Sequence, residues 1–327
     1  KLANERCPEG NGMITSDIIS QVLPILFLLA LGYWVRRRGF LAPVTVDGLR
    51  KVIVTFALPA VLFTSFLNLE FKTAYVAVFV MIFVLCVALF ALGKALQAAL
   101  GIRWRYFPFL MTGFEYGMLG VSLYGTVYGL ENIGRIAVFD LGHEMFMWFV
   151  LLALLVREKE GGSQRLGQLA RRFLQSPVIL GILSGILLNL VGARDFFQSF
   201  SVTKGLLTTF DHLGNLTIPL ILIIVGYGVR IEGSGFRDAL PVVLLRLGLL
   251  IPLAFLLNRV VTRRLLGLGE ASEAALFTLL VLPPPFIIPL YFPDDLAEAE
   301  REYVNNTLTL HTLATVAVII GYLALAS

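Results

Sequence analysis

Charged side chains are scarce within the long apolar stretches of this sequence, so the few that interrupt them are the first candidates for chemistry. Glu115 stands in the glycine-rich run Gly113-Phe114-Glu115-Tyr116-Gly117-Met118-Leu119-Gly120. A carboxylate inside a bilayer is costly and is kept where it works or is paired. Glu115 could therefore be a coupling site for a proton or cation, a direct contact for a cationic substrate, or a structural acid with a partner. Held permanently charged, it would repel an anion. Asp140, His143 and Glu144 form a second group, and spacings of three and four put them on one helix face. A metal site needs more ligands from elsewhere. A hydrogen-bonded polar stripe beside a transport path, able to serve ion coupling, is the preferred reading.

The backbone offers chemistry of its own. Pro283-Pro284-Pro285 lack N–H groups and force an extended path, so a helix through them must break. Gly113, Gly117 and Gly120, with Gly125 and Gly129 beyond, allow two readings: close helix packing through small residues, or an unwound segment lining a cavity. If both stretches break, their half-helix ends face one another and the N-terminal dipoles favour an anionic group. Asn305, Asn306, Thr307, Thr309, His311 and Thr312 begin the last apolar run and could reach that place. His311 reads as a packed histidine more readily than as a proton relay. Arg246 either snorkels to the interface or neutralises a buried acid such as Glu144.

Enzyme readings find little support. His143-Glu144 is not followed by a second His at the metalloprotease spacing. Asp294, Asp295 and Glu298 are similar to one acidic magnesium cluster of membrane prenyl transferases, but those enzymes need two. No phosphate loop or dinucleotide fingerprint is present. The chain reads as a non-enzyme with no bound cofactor, open only to Na+ or H+ as a coupling ion.

The elements that must position these residues follow from composition. Of 327 residues, 57% are hydrophobic and 15% charged, and mean hydropathy is +0.84. A soluble domain of this length needs more charge to cover its surface. The apolar residues come in runs of about 20, enough to cross a hydrocarbon core of roughly 30 Å as helices. The net charge of +4 belongs to loops at the membrane surface and does not imply nucleic acid. Cys7 and Cys86 show no zinc spacing and predict no structural disulfide.

Ten spans are expected: 18–35, 52–67, 74–96, 106–128, 133–156, 177–191, 213–229, 239–261, 274–292 and 304–326. Residues 1–12 read as a polar tail, with Met13 as a possible natural start. Residues 13–156 form a first five-helix repeat, 157–172 a charged cytoplasmic loop with Gly161, Gly162 and Ser163 as its flexible part, and 173–327 a second repeat. Phe56-Ala57-Leu58-Pro59-Ala60-Val61-Leu62 sits against Leu216-Thr217-Ile218-Pro219-Leu220-Ile221-Leu222 at matching places. An odd number of spans per half makes the repeat inverted, and interrupted spans at matching places mark a carrier's binding site. The fold expectation is thus an all-α integral membrane protein with broken crossover helices four and nine. Most of the 26 basic residues fall inside if the N-terminus lies outside the cell's inner membrane.

Val22-Leu23-Pro24-Ile25, Leu31-Gly32-Tyr33, Arg36-Arg37-Arg38-Gly39 and Phe56-Ala57-Leu58-Pro59-Ala60 resemble the auxin efflux carrier family. So do Phe139-Asp140-Leu141-Gly142, Leu282-Pro283-Pro284-Pro285 and Asn306-Thr307-Leu308, in an order that covers nearly the whole chain. That family includes plant auxin exporters and bacterial proteins linked to malonate, and bile-acid sodium symporters share a related architecture. The resemblance implies a scaffold of spans one, two, six and seven through which copies dimerise. It implies a moving part made of the rest, with spans four and nine crossing beside the substrate. The sequence departs from the family in the fourth span, where Glu115 replaces an Asn and Ser122 a Pro.

The implied function is efflux of a small organic acid, auxin-like or a dicarboxylate, by elevator-type alternating access. Sodium- or proton-coupled transport through Glu115 and a membrane ligand sensor are the alternatives. Substrate contacts are assigned to Gly113, Glu115, Tyr116, Gly117, Gly120, Pro283, Pro284 and Pro285. Ion coupling is assigned to Glu115, Asp140, His143, Glu144 and His311, with no metal.

Overall fold

The computed structural model describes residues 11–160, 166–229 and 236–326. Residues 1–10 of the expected tail and the Gly161–Ser163 stretch lie outside the described residues. What is described is helical, with no strand. Helix α1 is Asn11–Arg37, α2 Pro43–Val52, α3 Leu58–Leu67, α4 Ala74–Leu100, α5 Phe107–Leu110, α6 Val121–Tyr128, α7 Ile133–Phe146 and α8 Leu152–Glu160. The chain continues with α9 Leu166–Leu174, α10 Pro177–Leu190, α11 Arg194–Ser199, α12 Ser201–Gly228, α13 Phe236–Leu257, α14 Glu270–Val281 and α15 Glu298–Ala326.

Among the described residues, six helices are long and apolar enough to cross a membrane: Pro43–Leu67, Ala74–Leu100, Leu130–Lys159, Ser201–Gly228, Phe236–Leu265 and Glu298–Leu325. A seventh candidate is the pair Gly167–Leu174 and Pro177–Leu190, bent by 69°. Several of these run through π-helical turns. In the first, residues Ile53–Ala57 form a π turn immediately before Pro59. A proline cannot donate to the carbonyl four residues back, and a widened turn absorbs the mismatch without breaking the helix.

Two groups of helices pack together. Helix α1 lies along α12, and α3 lies along α10 and touches α12. In the second group α4 packs on α5 and α7, α14 on α7 and α13, and α13 on α15. Lipid supplies no hydrophobic drive between helices, so close backbone approach and polar ties must hold them. Both are present. A Cβ at Gly32 would fall on the Ile223 carbonyl, and one at Gly226 on the Leu29 carbonyl, so glycine on each side brings α1 and α12 into backbone contact. Asn189 Nδ2 donates to the carbonyls of Phe66, Leu67 and Leu69 at 2.9, 2.8 and 2.8 Å, covering orphan oxygens at the end of α3. Arg36 Nη1 donates to Val229 O at 3.1 Å just past the end of α12.

The charged stretch expected as a loop over 157–172 is largely helical. α8 runs on to Glu160, and α9 is a separate amphipathic helix. Leu169 is fully buried against Leu152 and Val156, and Phe173 packs on Trp148 with ring centroids 6.0 Å apart. Apolar residues at helical spacing outweigh the local charge density there.

Candidate functional site

The glycine-rich stretch expected as the fourth span is broken. Pro108 sits in the first turn of α5, which ends at Leu110. Residues 111–115 are non-helical, and Gly113 has φ +67°, a left-handed conformation that favours glycine. A Cβ there would also strike the ring of Pro285. The chain then recovers as a π turn, Tyr116–Gly120, that leads into α6. The break therefore lies just before Gly117. Gly117 and Gly120 sit in the helical turn that follows it, Gly120 packed on Leu282 and Gly117 with room for a Cβ at contact distance from Leu58.

The proline-rich stretch breaks at Leu282, where ψ turns to 151°, and stays non-helical through Pro285. Beyond it the chain makes one 3-10 turn, Ile288–Tyr291, with Pro289 at its start. The second half-helix expected here is only that turn, because Pro289 and Pro293 remove further donors. A four-residue turn carries little dipole, so the expected favour for anions at this end is weak.

The two breaks touch. Glu115 N–H donates to Pro283 O at 2.9 Å. The Glu115 carboxylate accepts from Phe286 N–H at 2.7 Å and from Met118 N–H at 3.3 Å, so one side chain satisfies donors from both segments. This is N-capping chemistry, with an acid aimed at the first free amides of a helix. Phe114 N–H donates to His143 Nε2 at 2.9 Å, and His143 Nδ1 lies 2.7 Å from Asp140 Oδ1. Because Nε2 must present its lone pair to Phe114, the ring hydrogen sits on Nδ1 and points to Asp140. Irregular backbone buried away from water survives only when its polar groups are paired, and these side chains pair with them.

Arg246 completes the cover. It neither snorkels nor joins Glu144, and none of the described ion pairs includes it. It is 1% exposed and points its guanidinium into the carbonyls of both breaks. Nη1 donates to Leu110 O at 2.7 Å and Thr112 O at 3.2 Å, and Nη2 donates to Gly113 O and, at 3.4 Å, to Leu282 O. The Phe114 ring faces it at 5.2 Å.

Beside the breaks lies a cavity of about 910 Å³, within the range of small-molecule sites. Its wall takes Glu115, Tyr116 and Gly117 from the first break and Pro285, Phe286 and Ile287 from the second. The facing wall comes from the other helix group, including Arg50, Leu58, Val178 and Ile224. His143 and Glu144 also line it, and Glu144 Oε2 accepts from Trp148 Nε1 at 2.9 Å. Gly113, Gly120, Pro283, Pro284, Asp140 and His311 do not line it. The first four shape the breaks, and Asp140 stands behind His143. His311 is buried with Nδ1 3.2 Å from the Thr315 hydroxyl, which itself donates to Val281 O at 2.6 Å. Asp140, His143 and Glu144 offer ligand atoms within 4.8 Å of one another, but both His143 nitrogens are engaged by Asp140 and Phe114.

Sequence reasoning missed Arg50, Arg172 and Trp148 as cavity-lining residues and Arg246 as the cover of both breaks. Arg50 and Arg172 read as surface charge, and nothing in their neighbours signals a cavity. Of the six residues expected to reach this place, Asn305, Thr309 and Thr312 line the cavity, whereas Asn306, Thr307 and His311 do not.

Comparison with known proteins agrees with this picture. Residues 17–289 match the family model described as membrane transport protein. An uncharacterized transporter of Methanothermobacter thermautotrophicus is 26% identical over 225 residues, 65% of this chain and 68% of that protein. The chain is a multi-pass membrane transport protein, not an enzyme. With a match over most of its length, it belongs to the membrane transport protein family, the auxin efflux carrier-type family that its sequence resembles.

Proposed function

We propose that the protein is a secondary carrier that exports a small organic acid by moving its broken segments, as a unit, past a scaffold of α1, α2–α3, α10 and α12. The observation that carries this reading is the cavity, which lies between the two helix groups, with the touching breaks as one wall. A rigid shift of one group against the other would carry that wall from one side of the membrane to the other. Arg50 and Arg172 offer the cavity guanidinium groups that pair with carboxylates. Among the described residues the buried Tyr116 hydroxyl has no hydrogen-bond partner, and a shift of the breaks that uncovers it would offer it to a solute oxygen. In this reading the architecture is the ten-helix inverted repeat with crossing fourth and ninth spans. The N-terminus lies outside the inner membrane, and two copies pair through the scaffold.

One observation favours a second reading, proton coupling: the Glu115 carboxylate holds amides from both breaks, so its protonation would loosen their joint. Counterflow in proteoliposomes tests both readings. Labelled mono- and dicarboxylates are expected to exchange at least tenfold faster than in protein-free liposomes. If Glu115 is the coupling group, Glu115→Gln keeps counterflow but loses acceleration by a pH gradient. Acids that bind yet never exchange would point instead to a ligand sensor.

A further inference from the structure

Carbonyl oxygens freed by a broken membrane helix are the ligands that carriers use for coupling cations, because unwound backbone and helix C-terminal ends gather negative partial charge. Leu110, Thr112, Gly113 and Leu282 form such a set, drawn from two separate segments and aimed at one buried place. Here that place is taken by a side chain. The Arg246 guanidinium occupies all four oxygens, and among the described residues its Nε has no hydrogen-bond partner. No carboxylate forms an ion pair with it among the described residues, so its charge faces carbonyl dipoles and the Phe114 ring instead of an acid.

We propose that Arg246 is a tethered cation standing where a coupling metal ion would bind, so that the carrier works without Na+ or any other alkali cation. The proposal rests on the carrier reading and deepens it by assigning its ion dependence. The guanidinium cannot leave, so the joint between the breaks stays neutralised in every state, and no ion gradient enters through these oxygens. Arg246 acts through the backbone of the breaks and is a positioning residue. It does not line the cavity.

The test needs no knowledge of the solute, so its failure is separable from failure of the carrier reading. Thermal unfolding of the detergent-purified chain is followed in NaCl and in N-methylglucamine chloride, and binding of radioactive sodium is measured directly. The wild-type midpoint is expected to be equal in both salts, with no saturable sodium binding. Arg246→Ala leaves a guanidinium-sized gap. Millimolar guanidinium is expected to raise its midpoint by several degrees in a saturable way, and urea, a neutral molecule of the same shape, is not. Neither is expected to move the wild type. Saturable sodium binding by the wild type, or equal response of Arg246→Ala to guanidinium and urea, would overturn the proposal. Should Arg246→Ala fail to fold, the wild-type sodium measurements decide alone.

Discussion

Arg246→Met is expected to lower the stability of the folded chain by about 3–5 kcal/mol, because buried carbonyls left without a donor cost roughly 1–3 kcal/mol each and do not add in full. Methionine follows the arginine stem as far as Nε and fills the apolar part of the space. What it cannot do is donate, and Leu110, Thr112, Gly113 and Leu282 then keep carbonyls with neither protein nor bulk water to satisfy them. Each hydrogen bond to a charged group is worth roughly 1.5–3 kcal/mol, but the four share one cation and do not add. Arg246→Lys should fall between, since an ammonium keeps the charge and loses the planar fork that spans two segments. Arg263→Met is the control. Arg263 makes a bidentate pair with Glu273 at 2.7 and 2.8 Å from an exposed side chain, and its loss should move the melting midpoint far less. A midpoint for Arg246→Met equal to that of Arg263→Met would contradict the role given to the cation.

Gly226→Val is expected to cost about 3 kcal/mol or more and to reduce the yield of folded protein sharply. A Cβ at this position meets the oxygen, carbon and Cα of Leu29, and backbone of a facing helix cannot swing aside as a flexible side chain can. α1 and α12 would have to separate along their shared length and lose the dispersion contacts that hold helices together in lipid. Gly228→Val, two residues on, meets nothing within 4 Å and should be tolerated. The pair separates a packing requirement from a general intolerance of valine in this helix.

Parts of this site are legible in the residues. Three consecutive prolines permit no helix, so the second break follows from Pro283–Pro285 without any structure. The Asp140, His143 and Glu144 spacing correctly places a polar stripe on one helix face. The first break is less legible. Glycines show where a chain can unwind, and five are available between Gly113 and Gly129. The choice of 111–115 is made by groups far along the chain: His143 takes the Phe114 amide, Pro283 O takes the Glu115 amide and Arg246 takes three carbonyls. Backbone acceptors have no sequence signature, which is why Arg246 reads as a residue seeking a carboxylate. The 157–172 stretch shows the opposite weakness. Its charge density suggests a loop, whereas Leu169 and Phe173 at helical spacing decide the structure.

The central claim is that the paired breaks wall a cavity that serves both faces of the membrane. Gly117 reports on it most directly, because it lines the cavity and has room for a Cβ, with Leu58 Cδ2 the nearest atom at 3.8 Å. Gly117→Cys, made in a chain with Cys7 replaced by serine, is treated with a membrane-impermeant maleimide in right-side-out cells and in inside-out vesicles. Cys86, buried and free, serves as the internal unreactive thiol. The account predicts labelling of position 117 from both faces while Cys86 stays unmodified. Labelling that occurs only after denaturation, or from one face alone under every condition, would contradict it.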